Sequence, residues 1–220
     1  MRSYAEIHAL AAARHGGPDA LESLLPKPER PEILAEIPES RWLAQFARTI
    51  LSAGLAWTVV ESKWPGIETA FRGFDIDALA MMDDAWFDAL LADPRVIRSG
   101  PKIAALRDNA VLFQELRSEG GAPRVFADWP STDFAGLLEM LKVRGARLGG
   151  STAAYALRQM GRDSYILSRD VTARLVAEGV IDRAPGSKSA MRAVQGAFNT
   201  WMAQSGRSLT EISRTLALSL

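Results

Sequence analysis

Apolar residues recur at spacings of three and four along most of this chain, the period of helices that bury one face. In SRWLAQFARTILSAGLAWTVVESKW (40–64) the pattern runs through Trp42, Phe46, Ile50, Leu55 and Val59. Pro38 before it and Pro65 after it are expected to bound one helix. DDAWFDALLADP (83–94) opens with two aspartates, favourable at a helix N-terminus, and closes at Pro94. GPKIAALRDNAVLFQELRSEGG (100–121) has Pro101 in its first turn and Gly120 and Gly121 as its stop. Amphipathic stretches follow at 131–145, 151–161, 170–180 and 187–206, and Ser208 with Glu211 has capping-box spacing into a last helix. Strand-like alternation is confined to SYILS (164–168), too short to build a sheet. The expectation is an all-α fold of about ten helices joined by short loops. Residues 14–40, richest in Pro and Gly, are expected to wrap the surface.

Composition narrows the class without naming a function. A chain of 220 residues, 48% hydrophobic and 24% charged, is an ordinary globular chain of one large domain or two small lobes. No apolar run approaches the roughly 20 residues of a membrane span, and a cationic stretch with an apolar core, the mark of a secretory signal, is lacking. The absence of cysteine excludes disulfides and thiolate metal sites and fits a cytoplasmic protein. The net charge of zero hides an asymmetry. Residues 1–91 hold eight basic and fourteen acidic side chains, and the remainder eighteen and twelve. A basic half fits a polyanionic partner, and it equally fits a solvated surface.

Three stretches carry candidate chemistry. LKVRGARLGGSTAAYALRQMG (141–161) is a glycine-rich turn between two helices, ringed by Lys142, Arg144 and Arg147. Backbone N–H groups at such a turn, with the N-terminus of the next helix behind them, can hold an anion, and glycine lets the anion approach. Gly149 and Gly150 offer backbone, and Ser151 and Thr152 can cap the helix or donate to phosphate oxygen. From Leu141 to Arg174 seven cations face only Asp163 and Asp170. The bland alternative is a tight helix–turn–helix with arginines in water. Asp170 stands at the mouth of a new helix, where it either interacts with the helix N-terminus or stabilises positive charge and orients a water. In AGLAWTVVESKW (53–64), Gly54 interrupts an expected helix, which costs about 1 kcal/mol against Ala and can mark a close approach. Trp57 beside it is either a core residue or a face for stacking on a planar, cationic ligand. The two histidines, His8 and His15, have no thiol partners, and neither a GxxxxGK[ST] loop nor a GxSxG elbow is present.

Together, AGLAWTVVESKWPGIETAFRGFDIDALAMM, VIRSGPKIAALRDNA and the 141–161 hairpin resemble the 3-methyladenine DNA glycosylase I family, within the helix–hairpin–helix glycosylase group. The resemblance covers about residues 42–110 and 137–175. It implies a single all-helical glycosylase domain over 1–220, of two lobes around a cleft, in which the hairpin grips DNA backbone while a damaged base flips into the cleft. The implied reaction is excision of alkylated purines such as 3-methyladenine, with no redox or nucleotide cofactor; no metal is expected, because the family's zinc-binding Cys and His residues are missing from this chain. The implied partner is double-stranded DNA, and the protein is expected to act as a monomer. Methylation at N3 makes the base cationic and its glycosidic bond weak, so recognition matters more than acid catalysis.

By this resemblance Trp57 corresponds to the pocket tryptophan, Asp170 falls at the catalytic aspartate of the wider group, and Tyr4 stands for an N-terminal pocket aromatic. Thr49 occupies the place of a pocket glutamate, which removes an acceptor for the base's exocyclic amine. Val171 and Leu175 occupy the positions of two zinc ligands. Ser151 sits where bifunctional members carry a Schiff-base lysine, so no strand-cleaving activity is expected.

Overall fold

The computed structural model describes all 220 residues, and every regular element is helical. In chain order the helices are α1 (Tyr4–Arg14), α2 (Pro18–Glu22), α3 (Pro31–Glu36), α4 (Glu39–Ser52), α5 (Trp57–Ala70), α6 (Ile76–Ala80) and α7 (Asp84–Ala92). There follow α8 (Gly100–Leu116), α9 (Ala122–Asp128), α10 (Phe134–Arg144), α11 (Thr152–Gln159), α12 (Arg169–Ala177), α13 (Lys188–Ser205) and α14 (Leu209–Leu218). The all-α expectation holds. The count exceeds the expected ten partly because residues 14–40 form α2 and α3, each opened by a proline in its first turn.

The expected helix over 40–64 is two helices. α4 stops at Ser52, and Gly54 takes the left-handed region at φ 77°, where a side chain would be strained. A Cβ there would meet nothing within 4 Å, so Gly54 marks a turn and not a close approach. Pro65 does not end α5 but lies inside it, exposed, so the carbonyl of Glu61 that loses its helical partner can meet water. Trp64 likewise is no helix end. Its ring stacks on Phe74 at 5.5 Å, and Arg48 lies over it at 4.1 Å. The capping box at Ser208 and Glu211 forms as expected: Glu211 N donates to Ser208 Oγ, and Ser208 N to Glu211 Oε2.

The chain divides into two compact units. One comprises residues 1–29, 129–137 and 161–220. Its core is a run of rings, Phe134 against Tyr165 at 4.9 Å, Tyr165 on Phe198 at 4.5 Å and Phe198 against Trp201 at 5.7 Å. The other comprises residues 30–128 and 138–160, with Trp42, Phe46, Phe113 and Phe126 packed between α4, α8 and α9.

A buried ionic network closes the C-terminal end of the first unit. Glu178, its side chain 2% exposed, accepts from the backbone N–H of Arg2 at 2.7 Å and from the Arg2 and Arg174 guanidinium groups. Arg174 also donates to Oγ and the carbonyl of Ser219. Burial pushes the Glu178 carboxyl up, but the Arg2 and Arg174 hydrogen bonds outweigh it and hold the group below its ordinary value. A depressed carboxyl stabilises the fold above its unfolded pKa and loses that contribution as pH falls through the folded one. Glu178→Gln should therefore cost about 1–3 kcal/mol at pH 7 and reduce the loss of melting temperature below about pH 4. Thermal melts of both proteins between pH 3 and pH 7 check this.

Candidate nucleic-acid interface

The expected site residues divide between the units. Thr49, Trp57 and the 141–160 hairpin belong to the second unit, and Tyr4 and Asp170 to the first.

In the second unit, α4 carries Thr49 and α5 begins at Trp57. Thr49 is nearly buried, and its Oγ1 donates to the carbonyl of Gln45 at 3.0 Å. Trp57 is 39% exposed, which removes the core reading. It stands at the top of a wholly exposed run, Ala53 to Val59, in which Leu55 is 43% and Val59 40% exposed. Leu55 and Trp57 are thus large apolar side chains standing in water at the turn into α5, while Val59, two residues further along the helix, points to another side.

The hairpin forms where expected. α10 ends at Arg144, α11 begins at Thr152, and Ser151 is the residue before its first turn. The glycines do different work. A Cβ on Gly145 would come within 2.5 Å of Leu148 Cδ1 and 2.6 Å of Leu141 O, so this glycine lets the turn close on itself and does not admit a ligand. Gly150 is exposed with open space where a side chain would be, while Gly149 is half-buried against the Lys142 side chain. Arg147 holds φ 58°, costly for a residue with a side chain, between the anchored Ala146 and the buried Leu148.

The run of seven cations is not one patch. Arg162 and Arg174 are buried in the first unit, where Arg162 donates to the carbonyls of Trp129 and Asp163. Arg169 is in the first unit too, paired with Asp170 at 3.2 Å. In the hairpin, Arg144 is tied to Glu119 at 2.8 Å and Glu115 at 3.5 Å, and the glutamates raise its pKa. Lys142 meets Glu139 only at 3.8 Å and stays 57% exposed. Arg147 donates to the carbonyl of Pro101 at 3.3 Å and is exposed. Lys142 and Arg147 are thus the hairpin cations best placed for an outside anion.

Two residues given no role by sequence reasoning organise this region, and both lie on α8, seven residues apart and so on one face. Asn109 is fully buried; its amide donates to the carbonyl of Ala146 and accepts from the Ala146 N–H, each at 2.9 Å. Lys102 Nζ donates to the carbonyls of Leu51 and Ala53 at 2.8 and 2.7 Å. The signal was present: a lysine and an asparagine set into the apolar pattern of PKIAALRDNA.

In the first unit, Asp170 lies in the first turn of α12, behind the Ser168 cap, with its side chain 49% exposed. Tyr4 is 5% exposed, and its hydroxyl is bonded to Thr215 at 3.0 Å. Its edge lines a surface hollow of about 530 Å³ with His8 and Arg207. Val171 and Leu175 are core residues of α12, 2% and 0% exposed. His8 pairs with Glu22, and His15 bonds to the carbonyl of Leu218.

Residues 41–133 match the methyladenine glycosylase family. The resemblance read from the sequence stands over this span. A crystal structure of 3-methyladenine DNA glycosylase I is similar at 23% identity, covering 63% of this chain and 83% of that one, with a TM-score of 0.48. A crystal structure of a Tyr-to-Phe variant of 3-methyladenine DNA glycosylase I, in complex with 3-methyladenine, is similar at 18% identity. It covers 69% of this chain and 90% of that one, with a TM-score of 0.52, a likeness of fold.

Proposed function

We propose that this protein is a monofunctional DNA glycosylase that excises alkylated purines such as 3-methyladenine by base flipping and hydrolysis of the N-glycosidic bond. The observation that carries the reading is the exposed turn of Leu55 and Trp57, joined through α8 to the glycine hairpin. The first turns of α5, α8 and α11 start at this junction, and none contains an acidic residue. Three positive helix ends, with Lys142 and Arg147 beside them, suit a polyanion.

In this reading the hairpin takes backbone phosphate through Lys142, Arg147, the N–H groups of Gly149 and Gly150, and the hydroxyls of Ser151 and Thr152. Leu55 fills the stack that the extruded base leaves. The cationic methylated base lies on Trp57, and Asp170 supports positive charge on the sugar and positions water. Thr49, with its hydroxyl turned to its own helix, imposes no adenine-specific acceptor. No Schiff-base lysine stands at Ser151, so the strand stays intact after base loss. The partner is double-stranded DNA, met by a monomer in the cytoplasm; no helix is long and apolar enough to cross a membrane.

Asp170→Asn should slow base release about 100-fold or more while duplex affinity holds. Single-turnover release and a binding titration on one methylated duplex separate the two effects. A second reading, a non-catalytic binder of damaged DNA, is favoured by Thr49 in place of an acceptor. It predicts salt-dependent duplex binding with no base released.

A further inference from the structure

Leu51 and Ala53 end α4, where carbonyls have no partner further along the helix. Lys102, in the first turn of α8, supplies that partner: its ammonium bonds both carbonyls and so places a cation at the negative end of α4. One residue earlier, the Pro101 carbonyl accepts from Arg147 in the hairpin turn. The end of α4 and the hairpin are thus both fastened to two adjacent residues of α8. A lysine at a surface ordinarily turns its ammonium to water. Here burial first, and the Arg147 charge second, lower the Lys102 pKa, so the side chain holds this place against an electrostatic cost.

We propose that Lys102 is a positioning residue for base recognition, fixing the Trp57 turn against the part of the hairpin that meets DNA. The substrate side of this rests on the glycosylase reading; the fastening itself does not. A phosphate set against Arg147 offsets the charge that opposes Lys102 and so favours the ammonium form that bonds the Leu51 and Ala53 carbonyls. DNA binding at the hairpin then stiffens the turn that presents Trp57.

Amide hydrogen exchange on the whole protein tests this, read at the N–H groups of Ala53 and Leu55, which bond to Ile50 and Ser52 within the turn. In Lys102→Met these amides should exchange about tenfold faster, while those in the body of α4, such as Phe46, keep their rates. Lys102→Arg, which can still donate to both carbonyls, should recover most of the protection. Lys102→Gln, with a shorter donor, should fall between and serves if the Met variant does not fold. Unmethylated duplex DNA should slow exchange at Ala53 and Leu55 in the wild type and not in Lys102→Met. Unchanged exchange at the two amides in Lys102→Met, or acceleration spread evenly over α4 and α8, overturns the proposal. If the wild type releases no alkylated base, the glycosylase reading falls while the exchange comparison still decides the positioning role.

Discussion

Under the proposed glycosylase function, Trp57→Ala should leave the protein folded and remove its hold on the damaged base. The side chain is 39% exposed and opens α5 on a turn that is exposed throughout, so its truncation should change stability by less than about 1 kcal/mol. Base–aromatic stacking is worth about 1–3 kcal/mol per base, and the positive charge of an N3-methylated purine adds a cation–π component. The efficiency of base release should therefore fall about 10- to 200-fold with the melting curve nearly unmoved. Trp57→Phe should retain part of the activity, since a smaller π-face remains. Melting curves and single-turnover release of the three proteins, measured side by side, check the prediction. A large drop in melting temperature for Trp57→Ala would return this residue to the core.

Asn109→Ala has the opposite signature. The amide is fully buried and satisfies both backbone groups of Ala146. Its loss strands one donor and one acceptor at the start of the hairpin turn, at about 1–3 kcal/mol each. Stability should fall by about 2–6 kcal/mol, and the turn that holds Arg147 at positive φ loses its anchor. Duplex binding should weaken beyond what the fraction unfolded explains. Asn109→Asp should be no better, because it keeps the acceptor but sets a carboxylate against the Ala146 carbonyl. Urea melts and a DNA titration at a temperature where each variant is folded check both parts.

The helical class, the positions of most helices and the hairpin were legible in the sequence because they rest on local rules: apolar period, caps and glycine stops. α13 illustrates this, running between its Ser187 cap and a left-handed Gly206. The errors arose where one residue type admits two conformations. Gly54 reads as a weak point inside a helix or as a turn between two, and Pro65 as a boundary or an exposed interior residue. Trp57 was found as a candidate, but its exposure depends on which side of the Gly54 turn it falls. The cation count misled because charge in sequence says nothing of partners. Arg174 belongs to a buried network with Glu178, and Arg144 to Glu115 and Glu119. Lys102 and Asn109 lie in a stretch that carries the family resemblance, but their roles are not legible there because their partners are backbone groups 37 to 51 residues distant, which no side-chain motif announces.

The proposed removal of alkylated purines from DNA is tested by incubating the protein with DNA treated with a methylating agent and resolving the released bases. Time-dependent release of 3-methyladenine is expected, with strands left unbroken until the abasic sites are cleaved chemically. No release of any alkylated purine, under conditions in which the protein binds the same DNA, would contradict it.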